Sequence, residues 1–242
     1  MAGTALIFGA RNLGGAIGEH LAGGGWNVAG VARSQETVDK FEQQIPGALG
    51  MALDASEPAN IDAAVTRASE RFGGHVDLFV NAVAAGPSPS GGPFGGGPMA
   101  DTSPEDFEHY AIRVARQVYG FLSGSARAAR AAGGGTIVQI TGGSSQRAIP
   151  GKGAWAAGAF ATRALAQSAA LELRDEGIHV ALLVVDATIK SPKTASYTRD
   201  AGPYDLAEQE DVARAVAYLA EQQPTAWTHE LKITPRGDRW LA

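Results

Sequence analysis

The chain has 242 residues, 45% of them apolar and 19% charged, a net charge of −5 and no cysteine. This composition excludes disulfides, thiol catalysis and cysteine metal sites, and it argues against nucleic acid or an anionic membrane as the principal partner. No apolar run approaches the roughly 18 residues of a membrane span, and the first strand begins too near Met1 for a signal peptide, so a cytoplasmic protein is expected.

Thr4 to Leu21 (TALIFGARNLGGAIGEHL) opens with an apolar run, Ala5 to Phe8, that has no polar alternation and suits a strand buried on both faces of a parallel sheet. Gly9 ends it. Gly14 and Gly15 open a helix whose bare first turn lets a ligand phosphate approach unpaired backbone N–H groups. Trp26 to Ala32 reads as a second strand, followed by Arg33 and by Ser34 as N-cap of a helix from Gln35 to about Gln44. Ala48 to Leu53 is a third strand closed by Asp54. Asn60 to Phe72 is a helix with Ile61, Ala64, Val65, Ala68 and Phe72 on one face, and Val76 to Val80 is a fourth strand ended by Asn81. Strands alternating with helices of this length mean right-handed βαβ crossovers and a parallel sheet covered on both sides.

Residues 86–98 (GPSPSGGPFGGGP) contain little to pack and read as a mobile surface loop after strand four. A long helix over Ser103 to Ala132, capped by Ser103 with Pro104 in its first turn, leads to strand five at Thr136 to Thr141. A loop over Gly142 to Gly153, an alanine-rich helix over Ala154 to Glu176 and strand six at Ile178 to Val185 come next. Residues 186–204 form a long connection on the substrate side. A helix at Glu208 to Gln222 and a strand at Leu231 to Thr234 complete the chain, which no linker divides: one domain is expected over 1–242.

This order of parts resembles the short-chain dehydrogenase/reductase family, over essentially the whole chain. The resemblance rests on Gly9 to Gly14 (GARNLG) as the cofactor loop, one residue shorter than usual and with Asn12 where a glycine is expected. It rests also on Asp54 after strand three, VNAVA at Val80 to Ala84, ALAQSAALE at Ala164 to Glu172, GIHV at Gly177 to Val180, and Asp186-Ala187-Thr188-Ile189 in the place of a Pro-Gly turn over the nicotinamide. It implies a single-domain α/β Rossmann fold, a doubly wound parallel sheet of about seven strands flanked by helices. It also implies a dinucleotide held by Gly9, Arg11, Asn12, Leu13, Gly14, Arg33, Ser34, Asp54, Ala55, Asn81, Ala82, Val83, Thr141, Ala187 and Ile189, with no metal. An acidic residue at the end of strand two would bind a ribose diol; Arg33 and Ser34 stand there instead, and Arg11 adds a second cation, so NADP(H) is expected over NAD(H).

The family's chemistry rests on a Tyr-x-x-x-Lys pair, a serine after strand five and an asparagine on the fourth helix. Aligned through ALAQS and GIHV, the pair falls on Trp155 and Ala159, the serine near Gly142 with Ser144 and Ser145 following, and the asparagine near Gln117. No Tyr-x-x-x-Lys occurs anywhere in the chain. An indole N–H donates a hydrogen bond but is no proton donor near neutral pH. Ser144, Trp155 and Gln117 are therefore the candidates for whatever chemistry the site performs.

Three functions remain open on these residues: an NADP(H)-dependent oxidoreductase acting on a small carbonyl or enone, with water, Tyr197, Tyr204 or a serine near Ser144 as acid; a nucleotide-binding or regulatory pseudo-enzyme; and a non-redox cyclase or lyase on the same scaffold. The first is taken as the expectation. The two long helices resemble those that pair across the family's dimer interface, and Ala154, Ala157, Gly158, Ala161 and Ala164 permit close approach, so a homodimer or homotetramer is expected.

Overall fold

The computed structural model describes residues 3–237. Strands and helices alternate from the start: β1 (Thr4–Phe8), α1 (Leu13–Gly23), β2 (Asn27–Ala32), α2 (Gln35–Gln44), β3 (Leu49–Ala52), α3 (Pro58–Phe72) and β4 (Leu78–Asn81). After the glycine-rich stretch come α4 (Pro104–Phe107), a π-helical turn (Glu108–Ile112), α5 (Arg113–Ala132) and β5 (Gly135–Gly142). A 3-10 turn at Gly143–Ser145 precedes α6 (Gly153–Leu173) and β6 (Ile178–Val185). The short strands β7 (Thr188–Ile189) and β8 (Leu206–Ala207), then α7 (Gln209–Ala220) and β9 (Glu230–Ile233), follow.

The described residues form a seven-stranded sheet in the order β3-β2-β1-β4-β5-β6-β9, with every neighbouring pair parallel. The continuous apolar run of β1 is a period-two pattern with both phases buried. Leu6 and Phe8 enter one core with Phe79, Phe121, Ile137 and Val180, whereas Ala5 and Ile7 enter the other with Ile17, Leu21, Val80 and Val216. Phe8 and Phe121 meet edge to face at 5.5 Å. Each such side chain, fully buried, contributes about 1.5–3 kcal/mol, and that burial holds α1, α2 and α7 on one face and α3 and α5 on the other.

Element boundaries fall close to those read from the sequence, and α2 and β6 coincide with them. Two regions differ in kind. The helix expected to run unbroken from Ser103 to Ala132 does start at the Ser103 cap, whose Oγ accepts from the Asp106 N–H at 3.0 Å, but it widens into the π-helical turn. There α6 lies backbone to backbone against it: a Cβ on Gly158 would come 3.3 Å from the Ala111 Cα. Ala154 and Gly158, expected to allow contact between subunits, are thus buried within the protomer, while Ala157 and Ala164 are exposed.

The second difference is the stretch 86–98, which has more to pack than its composition suggested. Ser88 is buried and donates to the Asp106 carboxylate, and Phe94 packs on Tyr110 and Trp155. In the 186–204 connection, β7 forms and pairs in parallel with β8 just beyond it. No helix among the described residues is long and apolar enough to cross a membrane.

Candidate active site

Because the sheet is parallel, the ends of β1, β2, β4, β5 and β6 all face one edge, where ligands of open α/β sheets bind. At its centre Gly9 has φ 95°, and a Cβ there would come 2.7 Å from the carbonyl carbon of Ala82, so only glycine lets β1 turn beside β4. The N–H groups of Gly9 and Ala10 both donate to the Val31 carbonyl at 2.9 Å, pinning the turn to β2. Asn12, at φ 49°, is the non-glycine residue with positive φ among those described; asparagine here takes the left-handed backbone that the usual glycine would supply. Leu13 begins α1, with Gly14 and Gly15 buried in its first turn.

Arg11 and Arg33 flank this turn, exposed, and neither enters an ion pair among the described residues. Ser34 caps α2, its Oγ accepting from the Thr37 N–H at 3.3 Å. Asp54 is exposed and engages locally, with Oδ1 accepting from the backbone N–H and hydroxyl of Ser56 at 3.0 and 2.8 Å. Ala55 is buried beside it.

Asn81 faces inward. Its Nδ2 donates to Gln139 Oε1 at 2.8 Å and to Gln117 Oε1 at 3.1 Å, while its Oδ1 accepts from Gln117 Nε2 and from the Val83 N–H, each at 3.3 Å. Three buried amides thereby satisfy one another and tie β4 and β5 to α5. Gln117, a catalytic candidate in the sequence, is committed to this network. Gln139 joins them from within the apolar run TIVQIT, where a glutamine is a visible anomaly in the sequence.

At the end of β5, Thr141 and Gly142 lead to the 3-10 turn carrying Ser144, which is half-buried, and Ser145, whose Oγ donates to the Gly142 carbonyl at 2.8 Å. Trp155 is half-buried. Its ring lies 5.2 Å from Phe94 and 6.3 Å from Tyr110, and Ala159, one turn on, is 2% exposed. Tyr110 is wholly buried, and burial pushes its phenol up. Tyr197 and Tyr204 are exposed, the latter under the Arg236 guanidinium at 4.1 Å.

Beyond β6, Asp186 is nearly buried and forms a bidentate pair with Arg147 at 2.6 and 2.9 Å, with Lys232 of β9 at 3.0 Å. The Arg147 hydrogen bonds hold its carboxyl below the usual carboxylate range. Glu230 is held by Gln146 at 2.9 Å and Arg163 at 2.8 Å. These contacts join the loops after β5 and β6 to β9; Ala187 and Ile189 follow at the start of the long connection, both half-buried. In sequence Arg147 and Lys232 look like ordinary surface cations, and nothing local marks them.

The family model described as enoyl-(acyl carrier protein) reductase matches residues 8–230. L-2,3-butanediol dehydrogenase of Corynebacterium glutamicum is 28% identical over 176 residues, 70% of this chain and 65% of that protein, so the match spans just under two thirds of its length. Sorbitol dehydrogenase of Cereibacter sphaeroides is 32% identical over 181 residues, 73% of this chain and 67% of that one. Among solved structures, a metagenomic short-chain oxidoreductase in complex with NADP superposes with a TM-score of 0.76 at 26% identity, covering 97% of each chain.

Proposed function

The chain belongs to the short-chain dehydrogenase/reductase family, and from that premise we propose that it is an NADP(H)-dependent oxidoreductase that reduces a small carbonyl or enone without the family's Tyr-Lys relay. The observation that carries the cofactor is the pair of exposed, ion-pair-free cations, Arg11 and Arg33, on either side of the Gly9 turn. A 2′-phosphate matches them as partners, and Ser34 adds a hydroxyl. Gly9 to Gly14 would carry the pyrophosphate on backbone N–H groups, Asp54 and Ala55 the adenine side. Asn81, Ala82, Val83, Thr141, Ala187 and Ile189 would line the path to the nicotinamide. The bound cofactor supplies the hydride. The oxygen that accepts it would take its proton from water or from Ser144, Tyr197 or Tyr204, and Gln117 and Trp155 would shape the cavity. We place the protein in the cytoplasm as a homodimer or homotetramer acting on small molecules, with no part for nucleic acid or membrane. Phe160 and Leu171 on α6 and Tyr119 on α5 are exposed, as are Ala157 and Ala164, and this supports the paired-helix assembly.

Replacing Arg33 by Ala tests the cofactor reading. Each charge-assisted hydrogen bond to phosphate is worth about 1.5–3 kcal/mol, so NADPH affinity falls roughly tenfold or more while NADH is nearly unaffected. Equal losses for both would assign Arg33 to the fold. A second reading, a nucleotide-binding protein without turnover, draws on Trp155 and Ala159 being packed where the relay would stand. NADPH that binds but is not consumed over a carbonyl and enone panel would favour it.

A further inference from the structure

Residues 88–97 form a strap fastened at both ends. At the first, the Asp106 carboxylate accepts from the hydroxyls of Ser88 at 2.6 Å, Ser103 at 3.1 Å and Ser90, and the Ser88 Oγ in turn accepts from the Gly92 N–H at 3.0 Å. At the second, Gly97 pairs with Lys152 in a parallel bridge and the backbone N–H of Trp155 donates to the Gly95 carbonyl at 3.4 Å. Gly95 has φ 94°, and a Cβ there would come 3.2 Å from the Lys152 Cα, so the strap lies directly on the start of α6.

What the strap delivers is Phe94. One edge of its ring meets Tyr110 and Trp155, both at 5.2 Å between centroids, and 43% of the residue remains open. Two further large apolar residues stand exposed close to the start of α6. Met99, 76% exposed, has its terminal methyl against Gly153, where a Cβ would come within 2.6 Å of it, and Ile149, 44% exposed, lies one turn before Lys152. Large apolar side chains left in the open near a site cost solvation free energy unless something covers them. Of these, Phe94 packs directly on Trp155, which stands where the resemblance places the family's proton donor.

We propose that Phe94, packed on Trp155 and Tyr110, is the specificity-determining wall of the site, and that the hydride acceptor carries an aryl or comparable flat apolar group on its carbonyl rather than hydroxyl groups. This deepens the oxidoreductase reading and rests on it for the reaction, but not for the binding. An aromatic ring offers such a substrate a face to stack on, whereas a polyol gains nothing from it and loses its hydration.

The test uses acetophenone and hydroxyacetone as matched probes. With NADPH, the native protein should show kcat/KM at least about tenfold higher for acetophenone, the scale on which apolar pockets discriminate. Phe94→Ala should cut that ratio by a similar factor, through KM, with NADPH affinity unchanged, and Phe94→Leu should recover part of it. Independently of turnover, acetophenone should quench tryptophan fluorescence in the native protein, and the quench should disappear in Trp155→Phe. Quenching without NADPH consumption would overturn the oxidoreductase reading and leave the wall standing. Absence of the quench, equal use of both ketones, or an unchanged ratio in Phe94→Ala would overturn the wall.

Discussion

The carboxyl edge of the sheet is built in two ways on either side of β4. Toward β1, β2 and β3 it consists of bare turn backbone and exposed side chains: the Gly9 turn, Arg11, Arg33 and Asp54. Toward β5, β6 and β9 the charged groups Asp186, Arg147 and Lys232 are spent on one another, and aromatic groups pack together, Phe94 with Tyr110 and Trp155. The buried amides of Asn81, Gln117 and Gln139 stand at the divide. One half keeps free valence for an anionic ligand; the other offers shape and apolar contact. A nucleotide and a hydride acceptor can therefore be recognised by different physics along one edge.

The strongest way to break this contrast is to rebuild a relay in the closed half. Trp155→Tyr with Ala159→Lys and Gly142→Ser should raise NADPH-dependent ketone reduction by about 10²–10⁴-fold, the contribution of general acid–base assistance. The lysine is indispensable, because a free phenol titrates near ~10 and needs a neighbouring cation. Gly142 has room, its nearest neighbour for a Cβ being the Val185 carbonyl oxygen at 3.9 Å. No gain in a triple variant that still binds NADPH would show that this half does not face the reacting carbon. Efficient ketone reduction by the native protein that survives Trp155→Phe would instead direct attention to Tyr197, Tyr204 and Ser144.

A smaller effect should follow from removing the hub of the ion cluster. Asp186→Ala leaves Arg147 and Lys232 without their shared carboxylate. Breaking a buried pair costs about 3–5 kcal/mol, and the partial exposure of Arg147 brings the expectation down to about 2–3, read as a fall in the urea midpoint. The folded carboxyl titrates below its ordinary value of 3.8, so its contribution is complete above that pH and is lost as the pH falls through the folded pKa. A midpoint unmoved by the substitution would mean that the loops after β5 and β6 are held by other contacts.

The smallest effect concerns His179 at the foot of β6, far along the strand from Asp186. Its ring stacks on Trp227 at 5.1 Å, its Nε2 lies 3.0 Å from the Thr228 carbonyl, and burial pushes its pKa down. The folded chain therefore prefers the neutral imidazole. Stability should be full above about pH 6.5 and decline as the pH falls below it, because the unfolded chain then binds the extra proton. His179→Phe should flatten that decline between about pH 7 and pH 5, followed through urea midpoints at each pH. A slope that persists would belong to another group.

Much of this architecture is written locally. β1, α2 and β6 follow from runs of apolar residues and one serine cap, since a strand buried on both faces needs only continuous hydrophobicity and a helix start needs only its cap. The Gly9 turn is legible for the same reason. What the sequence did not disclose depends on residues far apart in the chain. Arg147 and Asp186 are separated by 39 positions, Asn81 and Gln139 by 58, and no local pattern records that they meet. The π-helical turn is set by α6 pressing Gly158 against it, a constraint arising some fifty residues further on than the segment it reshapes. Phe94 was hidden differently: surrounded by glycine and proline, a single aromatic residue reads as loop until the helix that receives it is in view.

The strand order also sets a sequence of events during synthesis. The half-sheet β3-β2-β1-β4 is complete once Asn81 has been made, and each later strand adds to the edge left by the one before it: β5 on β4, β6 on β5, β9 on β6. Assembly of the second half is thus accretion from one side, in chain order. Until Glu230 to Ile233 arrive, Leu182 to Val185 of β6 lack the strand that pairs with them, in a strand whose eight residues are all buried in the finished molecule. A nascent chain stalled at that stage presents a long, flat, apolar edge to its neighbours, the condition under which strands pair between molecules.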